Sequence, residues 1–178
     1  MKIVLLRHAA RMPHDTDDPT LTEYGHWQTQ QLSLLLRPQG PLPVPTELLA
    51  SPRTRARDTL KALGEKLSLE VEIEAKLDER AASESSRGFA TRVSHFLEHL
   101  KTRDSNSDQA VIWICSHMDW LEAALNCLCP TLPPSDAGGW PNCQARVFRL
   151  DLTGEWELVG KARVEPKSAR PQREDGGA

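Results

Sequence analysis

The chain has 178 residues, a net charge of −3, 39% hydrophobic residues and 26% charged residues, which suits one domain with a hydrophobic core. The small negative charge gives no sign of nucleic-acid binding, and no apolar run is long enough to cross a bilayer. Arg7 interrupts the first apolar run before a signal peptide could form. We therefore expect a cytoplasmic protein that binds neither nucleic acid nor membrane.

The four cysteines predict free thiols rather than a disulfide framework, because a cytoplasmic compartment is reducing. Cys127, Cys129 and Cys143 come close to a metal-binding pattern, but a fourth ligand at zinc spacing is missing. We predict neither a metal site nor a cofactor.

The first strand is predicted over residues 2–6, a short apolar run with β-branched Ile3 and Val4. It ends at Arg7 and His8. An open α/β sheet presents its functional groups just beyond the carboxyl ends of its strands. At that position, the guanidinium of Arg7 suits phosphate oxygens and a neutral His8 offers a ring nitrogen as a nucleophile.

A helix is predicted to begin after Thr22, which is a suitable N-cap, and to run to about Arg37, before Pro38. Gly25 lowers the intrinsic helix stability. We expect it to allow close packing against a neighbouring backbone.

The second strand is predicted over residues 47–50, and a second helix is expected to start with Ser51 as its cap and Pro52 at its first position. Three arginines, Arg53, Arg55 and Arg57, lie near this helix start. The positive end of the helix dipole disfavours cations there, unless an anion binds among them. The alternative is a solvated basic surface.

Later elements are an edge strand, a long helix, a central parallel strand, another helix and a hairpin. The central strand is the most apolar segment of the chain and ends in Ser116 and His117. In chain order these elements fall at residues 69–73, around 89–100, at 110–115, at about 120–128, and at 145–152 with 155–160. Residues 165–178 are rich in Pro, Ser, Arg and Gly and are predicted to be a disordered tail.

Three predicted strands thus end at polar groups: Arg7-His8, Ser51 leading to Arg55, and Ser116-His117. One sheet brings such ends to one crevice. Two imidazoles and two guanidiniums around one point would form a phosphate site.

In this order, the motifs resemble the histidine phosphatase superfamily, in its phosphoglycerate-mutase-like branch 1, and most closely its small phosphatases. The family's strand followed by Arg-His-Gly is matched by Arg7-His8-Ala9, and its Ser-His before a helix by Ser116-His117. The remaining matches are Leu-Thr-x-x-Gly-x-x-Gln at residues 21–28, Ser-Pro-x-x-Arg-Ala-x-x-Thr at residues 51–59, and Leu77 followed by the acidic Asp78 and Glu79.

The resemblance implies a three-layer α/β/α sandwich with a mostly parallel sheet, formed by residues 1–164 as a single domain. It implies that His8 attacks phosphorus and that Glu79 is the general acid and then the general base. Asp78 is the alternative proton donor. The phosphoryl oxygens would be held by Arg7, Arg55 and His117.

This chain departs from the family pattern around the site. Arg11 and His14 stand where the family has Thr and Asn, and both are candidate substrate-binding residues. Met118 and Asp119 replace two glycines after the second histidine. We expect Met118 to narrow the pocket and Asp119 to place a carboxylate near the anion site.

The resemblance predicts a metal-independent phosphatase, monomeric or homodimeric, that acts on a small phosphomonoester or on a protein phosphohistidine. One alternative is a catalytically weak phosphate-binding or scaffolding protein of the same fold. Another is a phosphoglycerate-type mutase. The mutase is disfavoured because the segment from Arg80 to Gly88 is short and Glu84 would repel a second phosphate.

Overall fold

The computed structural model describes residues 1–13, 16–36, 41–103, 109–131 and 139–164. The predicted disordered tail lies outside these residues, and a single domain over 1–164 remains a prediction. The strands are β1 (Lys2–Arg7), β2 (Glu47–Ala50), β3 (Val71–Ile73), β4 (Val111–Ser116), β5 (Gln144–Leu150) and β6 (Trp156–Arg163). The helices are α1 (Glu23–Leu32), α2 (Thr54–Leu67), α3 (Ser86–Arg103) and α4 (Met118–Leu128), with a short 3-10 helix at Ala75–Leu77.

The six strands form one sheet in the order β3-β2-β4-β1-β5-β6. β1 and β2 both pair in parallel with β4, while β5 runs antiparallel to β1 and β6. The expected α/β fold with a mostly parallel sheet is therefore confirmed. Register places Arg7 beside Ser116 and Ala50 beside Cys115, so three strands end together at one edge.

Side chains that alternate along the strands build a core on each face of the sheet. Ile112 and Ile114 of β4 pack on the face covered by α3 and α4. Trp113 and Cys115 pack on the opposite face, which α1 and α2 cover. Both faces are buried, which explains the unbroken apolar sequence of β4 and completes the three layers.

α1 is shorter than predicted. Thr22 caps it as expected, because its hydroxyl accepts the N–H of Gly25 at 3.0 Å. The helix ends at Leu32 rather than near Arg37. The backbone then turns, and Leu36 forms a bridge with the fully buried Leu42, so the helix ends before the proline.

α2 begins at Thr54, so the prediction that Ser51 and Pro52 start this helix is wrong. Its cap is supplied by a residue 36 positions earlier in the chain. The carboxylate of Asp18 accepts the backbone N–H of Thr54 at 3.0 Å and its hydroxyl at 2.7 Å. Ser51 is instead used at the strand ends described below.

The four cysteines are free thiols, as predicted, with Cys115 and Cys143 buried. Among the residues described, no helix is both long and apolar enough to cross a membrane.

Candidate active site

The carboxyl ends of β1, β2 and β4 form the floor of the candidate site. Backbone hydrogen bonds continue one residue past these strands: the N–H of His8 donates to Ser116, and that of Ser51 donates to Cys115. This continuation fixes His8, Ser51 and His117 side by side. The three strand ends therefore meet at one edge of the sheet, as predicted.

His8 is a buried imidazole whose tautomer is set by the backbone. Its Nδ1 lies 2.8 Å from the carbonyl oxygen of Ala9, which can only accept, so Nδ1 carries the ring proton. Nε2 of the neutral ring therefore keeps a free lone pair. Burial, helped by the charges of Arg55 and Arg7, lowers the pKa of His8 to about 3 and keeps the ring neutral at neutral pH.

The loop after His8 is held by residues of three distant segments. The N–H of Ala9 donates to Thr59 Oγ1 at 2.9 Å, and the N–H of Ala10 donates to Gln28 Oε1 at 2.8 Å. Asn142 Nδ2 donates to the carbonyl of His8 at 2.9 Å. The Thr and Gln of the recognised motifs thus position the loop of the candidate nucleophile.

His117 is the second buried imidazole, with its ring centroid 5.4 Å from that of His8. Its Nε2 lies 2.7 Å from the hydroxyl of Ser51. Its Nδ1 is buried and has no hydrogen-bond partner within the described part of the chain. Burial and the charge of Arg55 lower the pKa of His117 to about 2.

Arg7 and Arg55 supply the positive charge of the site. Arg7 ends β1 and donates to the carbonyl of Trp140. Burial and the neighbouring Arg11 lower its pKa below the ordinary value. Arg55, 3% exposed, donates from Nη2 to Glu79 Oε2 at 2.7 Å. Within the residues described, Nε of both arginines is buried without a partner, so both retain a donor that an anion could use.

The two carboxylates Asp78 and Glu79 have different surroundings. Asp78 Oδ1 accepts from Arg53 Nε at 2.9 Å, from Ser51 Oγ at 3.3 Å and from the N–H of Glu79 at 2.9 Å. The side chain of Glu79 is 36% exposed and reaches Arg55 in the site. Asp78 is therefore held by three hydrogen bonds, whereas Glu79 is the more exposed carboxylate and pairs with Arg55.

Of the candidate substrate-binding residues, Arg11 lies beside Arg7 and His8 at a cavity of about 340 Å³. Its guanidinium donates to the carbonyl of Met12 at 3.2 Å. Met118 begins α4 with an exposed side chain, and the expectation that it narrows the pocket remains a prediction. His14 lies outside the described residues.

The expectation that Asp119 places a carboxylate near the anion site remains a prediction, and the structure shows what this carboxylate contacts. Its Oδ2 accepts the backbone N–H of Arg80 at 2.8 Å, and its Oδ1 accepts that of Trp120 at 2.8 Å. The carboxylate therefore ties the segment after Glu79 to the start of α4. Glu84 is paired with Arg92, which contacts both of its carboxylate oxygens.

Sequence reasoning missed the framework around the two histidines. It assigned Ser51 to a helix cap and gave no role to Asp18 or Asn142. Ser51 and Asp78 both lie in segments that match family motifs, and this could have indicated a role for Ser51 in the site. No local pattern marks Asn142, because its contact with His8 spans 134 positions.

The arrangement can bind a compact anion against a neutral nucleophile. The charges of Arg7 and Arg55 and the ring of His117 lie close to the ring of His8, and the partly exposed Glu79 contacts Arg55. No group of three or more His, Cys, Asp or Glu side chains in the described ranges is arranged to hold a metal ion.

Known structures share this fold. The protein histidine phosphatase SixA complexed with tungstate is 20% identical, with a TM-score of 0.67, covering 92% of this chain and 97% of that one. A mycobacterial glucosyl-3-phosphoglycerate phosphatase complexed with VO3 is 18% identical, with a TM-score of 0.69 and coverages of 89% and 97%. Phosphoserine phosphatase from Entamoeba histolytica, in complex with 3-phosphoglyceric acid, is 15% identical, with a TM-score of 0.71 and coverages of 92% and 98%.

No curated protein sequence is significantly similar to this chain. Residues 3–84, which contain Arg7, His8, Arg55 and Glu79, match the family model of the histidine phosphatase superfamily (branch 1). Residues 3–84 of the chain therefore resemble branch 1 of the histidine phosphatase superfamily, and the chain shares the fold of solved phosphatases.

Proposed function

We propose that the chain is a metal-independent phosphatase that hydrolyses a phosphomonoester, or a phosphohistidine on a protein, through a phosphohistidine intermediate on His8. The observation that carries this proposal is the free lone pair of His8 Nε2, fixed by the hydrogen bond from Nδ1 to Ala9 and surrounded by Arg7, Arg55 and His117. A neutral imidazole of fixed tautomer is the form that can attack phosphorus.

In the first step, Nε2 of His8 attacks phosphorus and the bond from phosphorus to the leaving oxygen breaks. Glu79, in its acid form, gives its proton to that oxygen. Arg7 and Arg55 bind the non-bridging oxygens, as does the doubly protonated ring of His117, whose Nδ1–H donates to the phosphoryl group while Nε2–H donates to Ser51. This is the charge stabilisation that phosphoryl transfer needs most. The dianion takes the place of Glu79 at Arg55, which releases the carboxyl to face the leaving oxygen.

In the second step, Glu79 takes a proton from water, whose oxygen attacks the phosphohistidine. The bond between phosphorus and Nε2 breaks, inorganic phosphate leaves, and His8 returns to its neutral form. No redox partner or metal is required by this balance. We expect activity to survive a chelator, and vanadate to inhibit as an analogue of the five-coordinate phosphorus.

We favour hydrolysis over mutase activity because only residues 80–85 separate Glu79 from the start of α3. So short a segment leaves the phosphohistidine open to water. We expect labelled water oxygen to appear in the released phosphate, and 3-phosphoglycerate not to be converted to 2-phosphoglycerate. Isomerisation without phosphate release would contradict this preference.

The test of the proposed function is His8→Ala, with His95→Ala on the exposed surface of α3 as the matched control. We expect His8→Ala to abolish phosphate release from an aryl phosphate while the fold persists. The wild type should form an acid-labile, base-stable phosphoryl adduct that His8→Ala lacks. Undiminished activity of His8→Ala, or an inactive wild type across a panel of phosphorylated metabolites and phosphohistidine peptides, would refute the proposal.

The proposal includes a cytoplasmic protein that acts as a monomer or homodimer, without a cofactor, nucleic acid or membrane as partner. The four free thiols support a reducing compartment. The small phosphorylated molecule and the phosphoprotein are both retained as substrates, and the panel distinguishes them.

A further inference from the structure

Arg92, in the second turn of α3, uses all five of its N–H donors. Nε and Nη2 contact the two oxygens of Glu84 at 3.0 and 2.8 Å. Nη1 donates to the carbonyls of Lys76 and Asp78 at 2.7 and 3.0 Å, and Nη2 also lies 3.4 Å from the carbonyl of Glu79. A guanidinium that is fully satisfied in a rigid fork holds its partners in a fixed geometry.

The three carbonyls belong to the segment that carries Glu79. After the 3-10 helix ends at Leu77, residues 78–85 form no helix or strand, so regular secondary structure does not fix this backbone. Other contacts come from the same side of the molecule: Ser116 Oγ donates to the carbonyl of Leu77 at 2.7 Å, and Asp119 accepts from Arg80. Arg92 donates to the carbonyl groups of both peptide bonds that flank Glu79.

This support becomes important when substrate binds. In the structure the carboxylate of Glu79 is held by Arg55 at 2.7 Å. Under the proposed function the phosphoryl group takes over Arg55, and Glu79 loses that partner at the moment when it must face the leaving oxygen. Its position then depends on its backbone and on the longer contact with Arg53, at 3.4 Å.

We propose that Arg92 is a positioning residue for proton transfer by Glu79, holding the backbone at residues 78–79 so that the carboxyl reaches the leaving-group oxygen. This inference rests on the proposed function and assigns Arg92 no contact with substrate. Glu84 contributes to the same positioning, because it orients the guanidinium of Arg92 through two hydrogen bonds.

The inference is tested with Arg92→Met, which keeps the apolar stem without donors, and Arg92→Lys, which keeps the charge without the fork. Arg87→Met, at an exposed arginine on the same helix, is the matched control. The measurements are KM and the single-turnover rate at which the leaving alcohol is released from an alkyl and an aryl phosphate, which reports the first step alone. A general acid gives roughly 10²–10⁴-fold, so partial loss of its position should lower this rate for the alkyl substrate by about 10–100-fold.

We expect both Arg92 variants to spare the aryl substrate, whose leaving group needs little protonation, and Arg87→Met to spare both. In a Glu79→Gln background, Arg92→Met should cause no further loss on the alkyl substrate, because its effect acts through Glu79. Equal loss on both substrates, additivity with Glu79→Gln, or full activity of Arg92→Lys would overturn the inference.

A second measurement does not need activity. Hydrogen exchange of Arg92→Met should show faster exchange at residues 76–84, with unchanged protection in β1 and β4. If the wild type releases no phosphate from any substrate, the proposed function fails, and the proton-transfer role fails with it. Exchange that is unchanged at residues 76–84 shows, independently of activity, that Arg92 does not hold this segment.

Discussion

Ser51 Oγ lies 2.7 Å from Nε2 of His117, and this hydrogen bond joins the ends of β2 and β4 inside the site. The same hydroxyl donates to Asp78 Oδ1 at 3.3 Å, so it accepts from Nε2–H of His117, and one serine links the carboxylate of Asp78 to this imidazole. The serine that opens the Ser-Pro motif therefore orients the ring of His117.

We predict that Ser51→Ala lowers kcat/KM about 5–100-fold, because a buried ring nitrogen that loses its partner costs about 1–3 kcal/mol. The fold should persist, since the change removes one oxygen atom from the strand end. Steady-state kinetics with an aryl phosphate measures the effect, and Ser33→Ala at the end of α1 is the control. Unchanged kinetics in Ser51→Ala would show that the ring of His117 is oriented by other contacts.

Asp78 and Glu79 are predicted to separate by substrate. Glu79→Gln should slow formation of the phosphohistidine from alkyl phosphates by about 10²–10⁴-fold and leave its formation from aryl phosphates nearly unaffected, because only the poor leaving group needs a proton. Hydrolysis of the phosphohistidine, which loses its base, should slow equally with both substrates. Asp78→Asn should lower kcat/KM for both substrates and lower the melting temperature of the protein, since the carboxylate of Asp78 accepts three hydrogen bonds. If Asp78→Asn were instead the variant that selectively loses alkyl substrates, Asp78 would be the proton donor.

Much of the fold was predictable because the strands are short apolar runs that end abruptly in polar residues. β2 falls at its predicted residues, and β4 is displaced by a single position. Helix boundaries were less predictable, since they depend on tertiary partners. α1 stops four residues before Leu36 forms a bridge with Leu42, and α2 starts where Asp18 caps it.

The site, like the fold, was only partly predictable from the sequence. Arg7, His8, Arg55 and His117 could be placed together from the sequence, because they follow strands whose ends must meet. The contacts that orient them could not. Asn142 reaches His8 from the far hairpin, and Arg92 reaches the backbone beside Glu79 from α3. No period or spacing in the sequence encodes such long-range hydrogen bonds.

Gly25 is predicted to be required by the close approach of α1 to the loop after His8. A Cβ atom at this position would lie 2.0 Å from the carbonyl oxygen of Ala10, which accepts hydrogen bonds from Thr22. This bears out the expectation that Gly25 packs against a neighbouring backbone. Gly25→Ala should gain up to about 1 kcal/mol of helix propensity but lose more to overlap, which costs roughly 1–3 kcal/mol and displaces a hydrogen-bonded backbone.

The comparison is Gly88→Ala in α3, where the added Cβ would lie 3.2 Å from the movable hydroxyl of Ser85. We expect this variant to be neutral or more stable, and Gly25→Ala to be less stable and less active because the loop carrying His8 shifts. Chemical denaturation measures the stability of the two variants, and steady-state kinetics measures their activity. Equal stability of the two alanine variants would show that the loop can move away from α1 at little cost.

The buried imidazoles predict that stability falls on mild acidification. In the unfolded chain a histidine binds a proton near pH 6.5, whereas burial lowers the pKa of His8 to about 3 and that of His117 to about 2 in the folded protein. Between these values the unfolded state binds more protons, so the free energy of unfolding decreases as pH falls from 6.5 towards 3. At pH 5–6 each histidine contributes at most one proton, or about 1.4 kcal/mol per pH unit.

His8→Asn removes one of these two groups and should make the fall in stability between pH 6 and pH 5 shallower by about 1 kcal/mol. Denaturation by urea at pH 7, 6 and 5 measures the slope, and His95→Asn, at an exposed position of α3, is the matched control. The measurements are kept at pH 5 and above. Hydrogen bonds in the folded protein lower the pKa values of Asp18 and Glu84, so these carboxylates add their own loss of stability in stronger acid. Parallel stability curves for the wild type and His8→Asn would mean that His8 takes up its proton in the folded protein, and would remove the neutral nucleophile on which the proposed chemistry depends.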